Sequence, residues 1–227
     1  MKFIFLHIGL DIRPYFLVQS IRKFFKEATI IQCTDLTTQK VEGVDEVIRH
    51  DGDTSNLMTF RLEVFSLIDI EKQSVFLDTD MLVLKEFNLD NYFESDAVLC
   101  KRSFGLDSLI NTSFRGMDLS EYKNHTLGAV YPYLACFTLV QSKEFWKEAD
   151  TILKLLDNKF HFWYGDQEAL KKIVVSNKFK ISTVEEAIFA CLPEEINHSF
   201  RPNLIHFKGP SRKSLMIDMA NKMGLVS

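Results

Sequence analysis

The sequence predicts an α/β fold, a Rossmann-like mixed central sheet flanked by helices, built as one domain over residues 1–227. Three observations lead there. Short apolar runs alternate with amphipathic stretches through the first eighty residues, as βαβ units require. Beyond residue 90 the alternation is less regular, which predicts a mixed rather than wholly parallel sheet. The 227 residues carry no repeat, low-complexity tract or Pro/Gly linker, and their 46% hydrophobic content suits a single large core.

Lys2–Ile8 is a continuous apolar run, the pattern of a strand covered on both faces. In Tyr15–Phe25 the residues Phe16, Val18, Ile21, Phe24 and Phe25 recur near helical spacing, with Arg22, Lys23 and Lys26 opposite. Ala28–Cys33 reads as a second strand and Val44–Ile48 as a third. A helix over Leu57–Ile70 follows, with Ser55 or Asn56 as its cap, and Ser74–Leu77 is a short strand running into Asp78-Thr79-Asp80. Ala97–Cys100 and Leu134–Val140 are strands. Ser142–Leu156 is an amphipathic helix capped by Ser142, Gln167–Ser176 another helix, and Leu204–Phe207 a late strand. Ser214–Met223 closes the chain as a small helix with Leu215, Met216 and Met219 on one side.

Charge and cysteine content remove whole classes of function. Twenty-seven Lys and Arg against 31 Asp and Glu leave a net charge of −4, without the basic excess of a nucleic-acid binder. Cys33, Cys100, Cys136 and Cys191 are widely spaced, so they read as buried thiols rather than a disulfide frame or zinc site. The opening apolar run is short, contains His7 and is followed by Asp11 and Arg13, which fits a first strand better than a signal peptide. No stretch reaches the roughly 20 apolar residues of a membrane span. The expectation is a cytoplasmic protein, at most peripheral on the inner membrane face through Lys213, Lys222 and the tail helix.

Three motifs carry chemistry. In Val75-Phe76-Leu77-Asp78-Thr79-Asp80, side chains two apart on an extended chain point the same way, so Asp78 and Asp80 converge. Paired carboxylates at a strand's carboxyl end suit a hard divalent cation such as Mn²⁺ or Mg²⁺, and open α/β folds bind ligands at that edge. The plainer reading is two solvated aspartates ending a strand. In Ile205-His206-Phe207-Lys208-Gly209-Pro210-Ser211-Arg212-Lys213, Gly209 permits close backbone approach, and Lys208, Arg212 and Lys213 suit a diphosphate; the plainer reading is a basic surface turn. In Trp163-Tyr164-Gly165-Asp166-Gln167-Glu168, Asp166 reads as a helix cap and Glu168 as a dipole partner, and the two aromatics as packing or a sugar platform.

Taken together, the chain resembles the metal-dependent GT-A glycosyltransferases, especially family 8, the group of glycogenin and the bacterial lipopolysaccharide galactosyl- and glucosyltransferases. Phe76-Leu77-Asp78-Thr79-Asp80 matches that family's apolar run and Asp-x-Asp, Asp166-Gln167 its Asp-Gln before a helix, and His206 with Gly209 its late His-x-x-Gly. Arg61 stands where the family places an arginine, seventeen residues before the first aspartate. The likeness spans roughly residues 1–213. It implies Mn²⁺, or Mg²⁺, bound by Asp78, Asp80 and His206, and a nucleotide-sugar donor, UDP-linked, held by Arg61, Thr79, Lys208, Gly209, Arg212 and Lys213. It also implies Asp166 on donor-sugar hydroxyls, Gln167 near the anomeric carbon, and transfer to a glycan, lipid-linked or protein acceptor with retention of configuration.

The match has departures. Leu134-Ala135-Cys136 replaces the family's Asn-Ala-Gly strand, Lys101-Arg102 replaces a carboxylate after the Ala97–Cys100 strand, and the late lysine falls at Arg212 with no following Pro-Trp. Two rivals use the same residues. One is a nucleotide-sugar-binding protein without turnover. The other is a haloacid-dehalogenase-type phosphatase, whose Asp-x-Asp belongs on the first strand with a threonine where this chain has Leu82.

Overall fold

Apolar runs form the centre of a seven-stranded sheet in the structure, a computed structural model that describes residues 1–70, 73–196 and 201–225. In chain order the elements are β1 (Lys2–Leu6), α1 (Arg13–Phe24), β2 (Thr29–Thr34), β3 (Glu46–Arg49), α2 (Leu57–Ser66), β4 (Ser74–Leu77) and β5 (Met81–Val83). There follow β6 (Ala97–Lys101), α3 (Leu127–Val130), β7 (Tyr133–Val140), α4 (Glu144–Lys154), α5 (Lys159–Phe162), α6 (Gly165–Ser176), β8 (Ile181–Glu185), α7 (Glu186–Phe189), β9 (Leu204–His206) and α8 (Pro210–Lys222). The sheet order is β3-β2-β1-β4-β7-β6-β8. The first four are mutually parallel, β7 runs antiparallel to β4 and β6, and β8 returns parallel to β6. The mixed sheet predicted from the irregular second half is therefore present.

Alternation along the strands sorts the core into two layers. Ile4 and Phe76 point to the face covered by α2, α4 and α6, whereas Phe3, Phe5, Val75 and Leu77 point to the face that receives Leu17, Val18 and Ile21 of α1. Phe65 of α2, Phe76 of β4 and Trp146 of α4 meet with ring centroids 4.7–5.2 Å apart. Each such pair adds about 0.5–1.5 kcal/mol beyond area burial. A third apolar cluster joins Phe16 to Leu82, Ile205, Phe207 and Met216. It seats α8 against α1 and a separate two-stranded ribbon of β5 and β9.

That ribbon matters most for function. Met81 pairs with His206, and the Phe207 amide donates to Asp80 O at 2.8 Å, so residues 125 and 127 positions apart in sequence become neighbours. On the other side the Asp78 amide donates to Cys136 O at 3.0 Å, which carries the β4–β7 ladder one residue into the Asp-x-Asp segment.

Several local expectations need correction. The second helix ends at Ser66 rather than Ile70, because Leu67 and Ile68 close short turns onto Val64 and Phe65. Asn56 occupies its cap position but makes no capping bond; its amide donates instead to Asp53, which also gathers Ser55. Ser142 does not cap the next helix, which begins at Glu144 after Lys143; Ser142 contributes only its carbonyl, to Phe145. The tail helix starts at Pro210, whose fixed φ suits a first helical position, and Leu215 lies exposed while Met216 is buried. Strands β5 and β8 went unanticipated. All four cysteines are free and buried, as expected. No helix among the described residues is long and apolar enough to cross a membrane.

Candidate active site

The carboxyl ends of β1 and β4, central neighbours in the sheet, open into a cleft of about 270 Å³. Ligands of open α/β sheets gather at such an edge. Asp78, Thr79 and Asp80 form one wall of it, His7, Asp11 and Arg13 another, and Arg61, Trp163 and Lys213 complete the lining. Among the described residues, a larger hollow beside Lys23, Phe25 and Glu86 brings no comparable cluster of ligating groups together.

Ligand atoms of Asp78, Asp80 and His206 all lie within 4.8 Å of one another, the arrangement expected of a metal centre. His206 Nε2 is 3.3 Å from Asp80 Oδ1 and 3.8 Å from Asp78 Oδ2. Two carboxylates and one imidazole are a donor set that suits a hard divalent ion of the Mn²⁺ or Mg²⁺ kind, so the residues fit the ion that the sequence resemblance implies. Burial raises the Asp80 carboxyl pKa, but His206, through its hydrogen bond and charge, together with Lys213 and Arg13 outweighs it and brings the value down to about 2. For His206 burial lowers the pKa, while the Asp80 carboxylate beside Nε2 works against it, and the imidazole stands above its ordinary value. Cys136 itself, facing Cys100 and deeply buried, keeps its proton. His206 Nδ1 is buried with no hydrogen-bond partner, and the Cys136 side chain lies beside the ring.

Behind the cluster stands Arg61, buried in α2. Its guanidinium donates to Asp78 Oδ1 at 2.9 Å, to Asp166 Oδ2 at 3.1 Å and to Ala135 O at 3.0 Å. The family resemblance puts an arginine at Arg61, on the helix before the Asp-x-Asp, and in the structure it bridges Asp78 and Asp166. Asp166 is not the helix cap expected of it. The chain enters α6 through Tyr164 in the left-handed region at φ +61°, and Asp166 turns inward from the first helical turn, 6% exposed. Burial holds its pKa above the ordinary carboxylate value despite Arg61. Gly165 permits this entry, since a Cβ there would stand 2.1 Å from Phe160 O. Glu168 lies in the first turn of α6, as expected of a dipole partner, but it is buried and accepts from Tyr122 Oη at 2.7 Å.

Gln167 follows Asp166 and accepts from Arg102 at 3.3 Å. Of the late basic segment, Lys213 lines the cleft, whereas the other two cations are engaged by acids: Lys208 pairs with Glu186 at 2.8 Å and Arg212 with Glu194. Gly209 holds φ +87°, a conformation a side chain would strain, at the N-terminus of the 13-residue α8. Sequence reasoning missed His7, Asp11 and Arg13. Arg13 binds both oxygens of Asp11 and reaches Asp80 at 3.9 Å, while burial holds the His7 imidazole below its ordinary pKa. The signal was available: polar residues just beyond a first, central strand lie where such sheets bind ligands. Of the two predicted aromatics, Trp163 lines the cleft with the Arg115 guanidinium 4.0 Å from its ring centroid, whereas Tyr164 packs on the buried Tyr131 at 4.6 Å.

Known structures share this architecture. The galactosyltransferase LgtC, solved in complex with donor and acceptor sugar analogues, superposes with a TM-score of 0.62 at 12% identity, covering 100% of both chains. The glycosyltransferase GlyE of Streptococcus pneumoniae TIGR4 gives 0.60 at 14% identity over 99% of this chain and 64% of its own. The bifunctional glycosyltransferase WbbM, in its apo form, gives 0.55 at 13% identity over 99% of this chain and 51% of its own. No family model matches the sequence, and no curated protein matches it either. The fold is that of the GT-A glycosyltransferases, as the motifs implied.

Proposed function

We propose that this chain is a metal-dependent glycosyltransferase that moves a sugar from a nucleotide sugar, UDP-linked, to a glycan or other acceptor with retention of configuration. The carrying observation is the convergence of Asp78, Asp80 and His206 at the carboxyl edge of β4, with Arg61 and Asp166 directly behind. LgtC, with the same fold, binds donor and acceptor sugar analogues, which supports a donor cleft and a glycan acceptor here.

In this reading Asp78, Asp80 and His206 hold Mn²⁺, or Mg²⁺, which supplies charge stabilisation to a departing nucleoside diphosphate. Lys213, Gly209 and the N-terminus of α8 receive the diphosphate, where a helix dipole favours negative charge. Lys208 and Arg212 serve it only if they leave Glu186 and Glu194. Thr79 and Arg61 border the donor, and Asp166 accepts from sugar hydroxyls with its second partner, Arg61, holding its orientation. Gln167 lies along the face of the anomeric carbon away from the leaving group. A neutral amide there stabilises positive charge on the sugar without taking a proton. Arg102 orients that amide by donating to its oxygen.

Incubation of the chain with Mn²⁺ and a panel of UDP-sugars tests the reading. Release of UDP from one donor, abolished by Asp80→Asn and faster with a matching acceptor, is the expected result. Binding of UDP-sugar with no release from any donor contradicts turnover.

A further inference from the structure

Two arginines are buried, and their surroundings differ. Arg61 is flanked by two carboxylates, Asp78 and Asp166. Arg102, 8% exposed, makes no ion pair with any described carboxylate: Nε donates to Tyr131 O at 2.9 Å and NH2 to Gln167 Oε1 at 3.3 Å. Nearby acids are already engaged. Asp166 faces Arg61, Glu168 takes the Tyr122 hydroxyl and Lys171, and Glu186 takes Lys208 and the amides of Ser103 and Phe104. A guanidinium taken out of water without a counter-charge is costly. Arginine also carries five N–H donors in a planar fork, and the two bonds made here leave NH1 and one NH2 proton uncommitted. The fork matches a carboxylate in paired geometry. Arg102 stands next to Gln167, which the proposed function puts beside the transferred sugar, and it donates to the carbonyl of Tyr131, whose ring stacks on Tyr164 at 4.6 Å.

We propose that Arg102 is a specificity residue for a carboxylate on one of the two sugars that meet at Gln167, so that the substrate is a uronic acid rather than a neutral hexose. This rests on the donor-site reading above. The missing counter-charge is then supplied by substrate, which explains why a cation stands buried here without an acid from the chain itself.

Calorimetry on the full chain with Mn²⁺ tests this in two arms. The first compares UDP-glucuronate and UDP-galacturonate with UDP-glucose and UDP-galactose. The second, at saturating UDP, compares methyl uronides with neutral methyl hexosides. The expected result is a preference of about tenfold or more for the acid, some 1.4 kcal/mol, in one arm. The first arm assigns the carboxylate to the transferred sugar and the second to the acceptor. Arg102→Gln is expected to erase the preference and Arg102→Lys, which keeps charge but not the fork, to retain part of it. UDP binding by each variant reports that it is folded, and the wild-type comparison decides even if a variant is not. Neutral sugars binding as well as acids in both arms, with UDP bound normally, overturns this inference alone. A preference that survives Arg102→Gln overturns it too, and a wild type that binds no UDP overturns the donor-site reading with it.

Discussion

Arg61 donates to Asp78 at 2.9 Å from a position where it is almost wholly buried, tying the metal-cluster aspartate to the helix that precedes it. The same guanidinium reaches Asp166, so one side chain sets the spacing of two acids from distant parts of the chain. Burial works against the cation, and the two carboxylates overcome it to raise its pKa.

Replacing Arg61 with Met leaves Asp78 and Asp166 facing each other without a counter-charge. Breaking a buried pair from one side costs about 3–5 kcal/mol. At roughly 2–4 °C per kcal/mol for a chain of this size, the melting temperature is expected to fall by about 6–20 °C. Thermal unfolding measures it; a fall below about 2 °C contradicts the role.

His206→Ala and Asp78→Asn each remove a ligand atom from the cluster. Mn²⁺ affinity, followed by calorimetry without nucleotide, is expected to drop by more than the about 10–100-fold typical of partners one shell out. The same measurement on His7→Ala, a cleft residue outside the cluster, is expected to change Mn²⁺ affinity far less.

Metal and proton compete for His206, which predicts a pH dependence with a definite sign. Without metal, its folded-state pKa lies above the unfolded value of 6.5. Its contribution to stability is therefore fully present below pH 6.5 and lost as pH rises through the folded value. Mn²⁺ takes only the neutral imidazole, so the melting-temperature gain on adding Mn²⁺ should grow as pH rises from 6.5 towards alkaline. A gain that is flat, or larger at low pH, contradicts His206 as a ligand.

Gly165→Ala places a methyl group 2.1 Å from Phe160 O and 2.5 Å from Leu153 Cδ1. Backbone stands in the way, not a flexible tip, so the entry to α6 must shift. Overpacking of this kind costs about 1–3 kcal/mol or more. Since α6 carries Asp166 and Gln167, donor affinity is expected to fall along with stability; unchanged values in both contradict the account of this turn.

Much of the site was legible because its residues sit where local pattern points. An apolar strand running into Asp78 and Asp80 and a histidine ending a late strand are short-range signals, whereas Arg61 came from the family resemblance. The pairing of Met81 with His206 is what unites them, and nothing local encodes it. Cap positions misread at Ser142 and Asp166 show the same limit. Asp166 has the residue type of a cap, but Arg61, 105 positions earlier, draws it into the core. The diphosphate role of Lys208 and Arg212 was read from charge alone, without Glu186 and Glu194, which sequence cannot place beside them. Arg102 was visible only as a departure from a pattern; its burial and its lack of an acid belong to the fold.

The central claim is a metal-dependent nucleotide site built on Asp78, Asp80 and His206, and thermal unfolding with UDP tests it most directly. At 100 times its dissociation constant a ligand adds about 2.7 kcal/mol. For wild type with UDP and Mn²⁺ together, the account predicts a rise of roughly 5–11 °C at about 2–4 °C per kcal/mol, absent without the metal and absent in Asp80→Asn. A midpoint unmoved by UDP with Mn²⁺, or a shift that Asp80→Asn leaves intact, contradicts it.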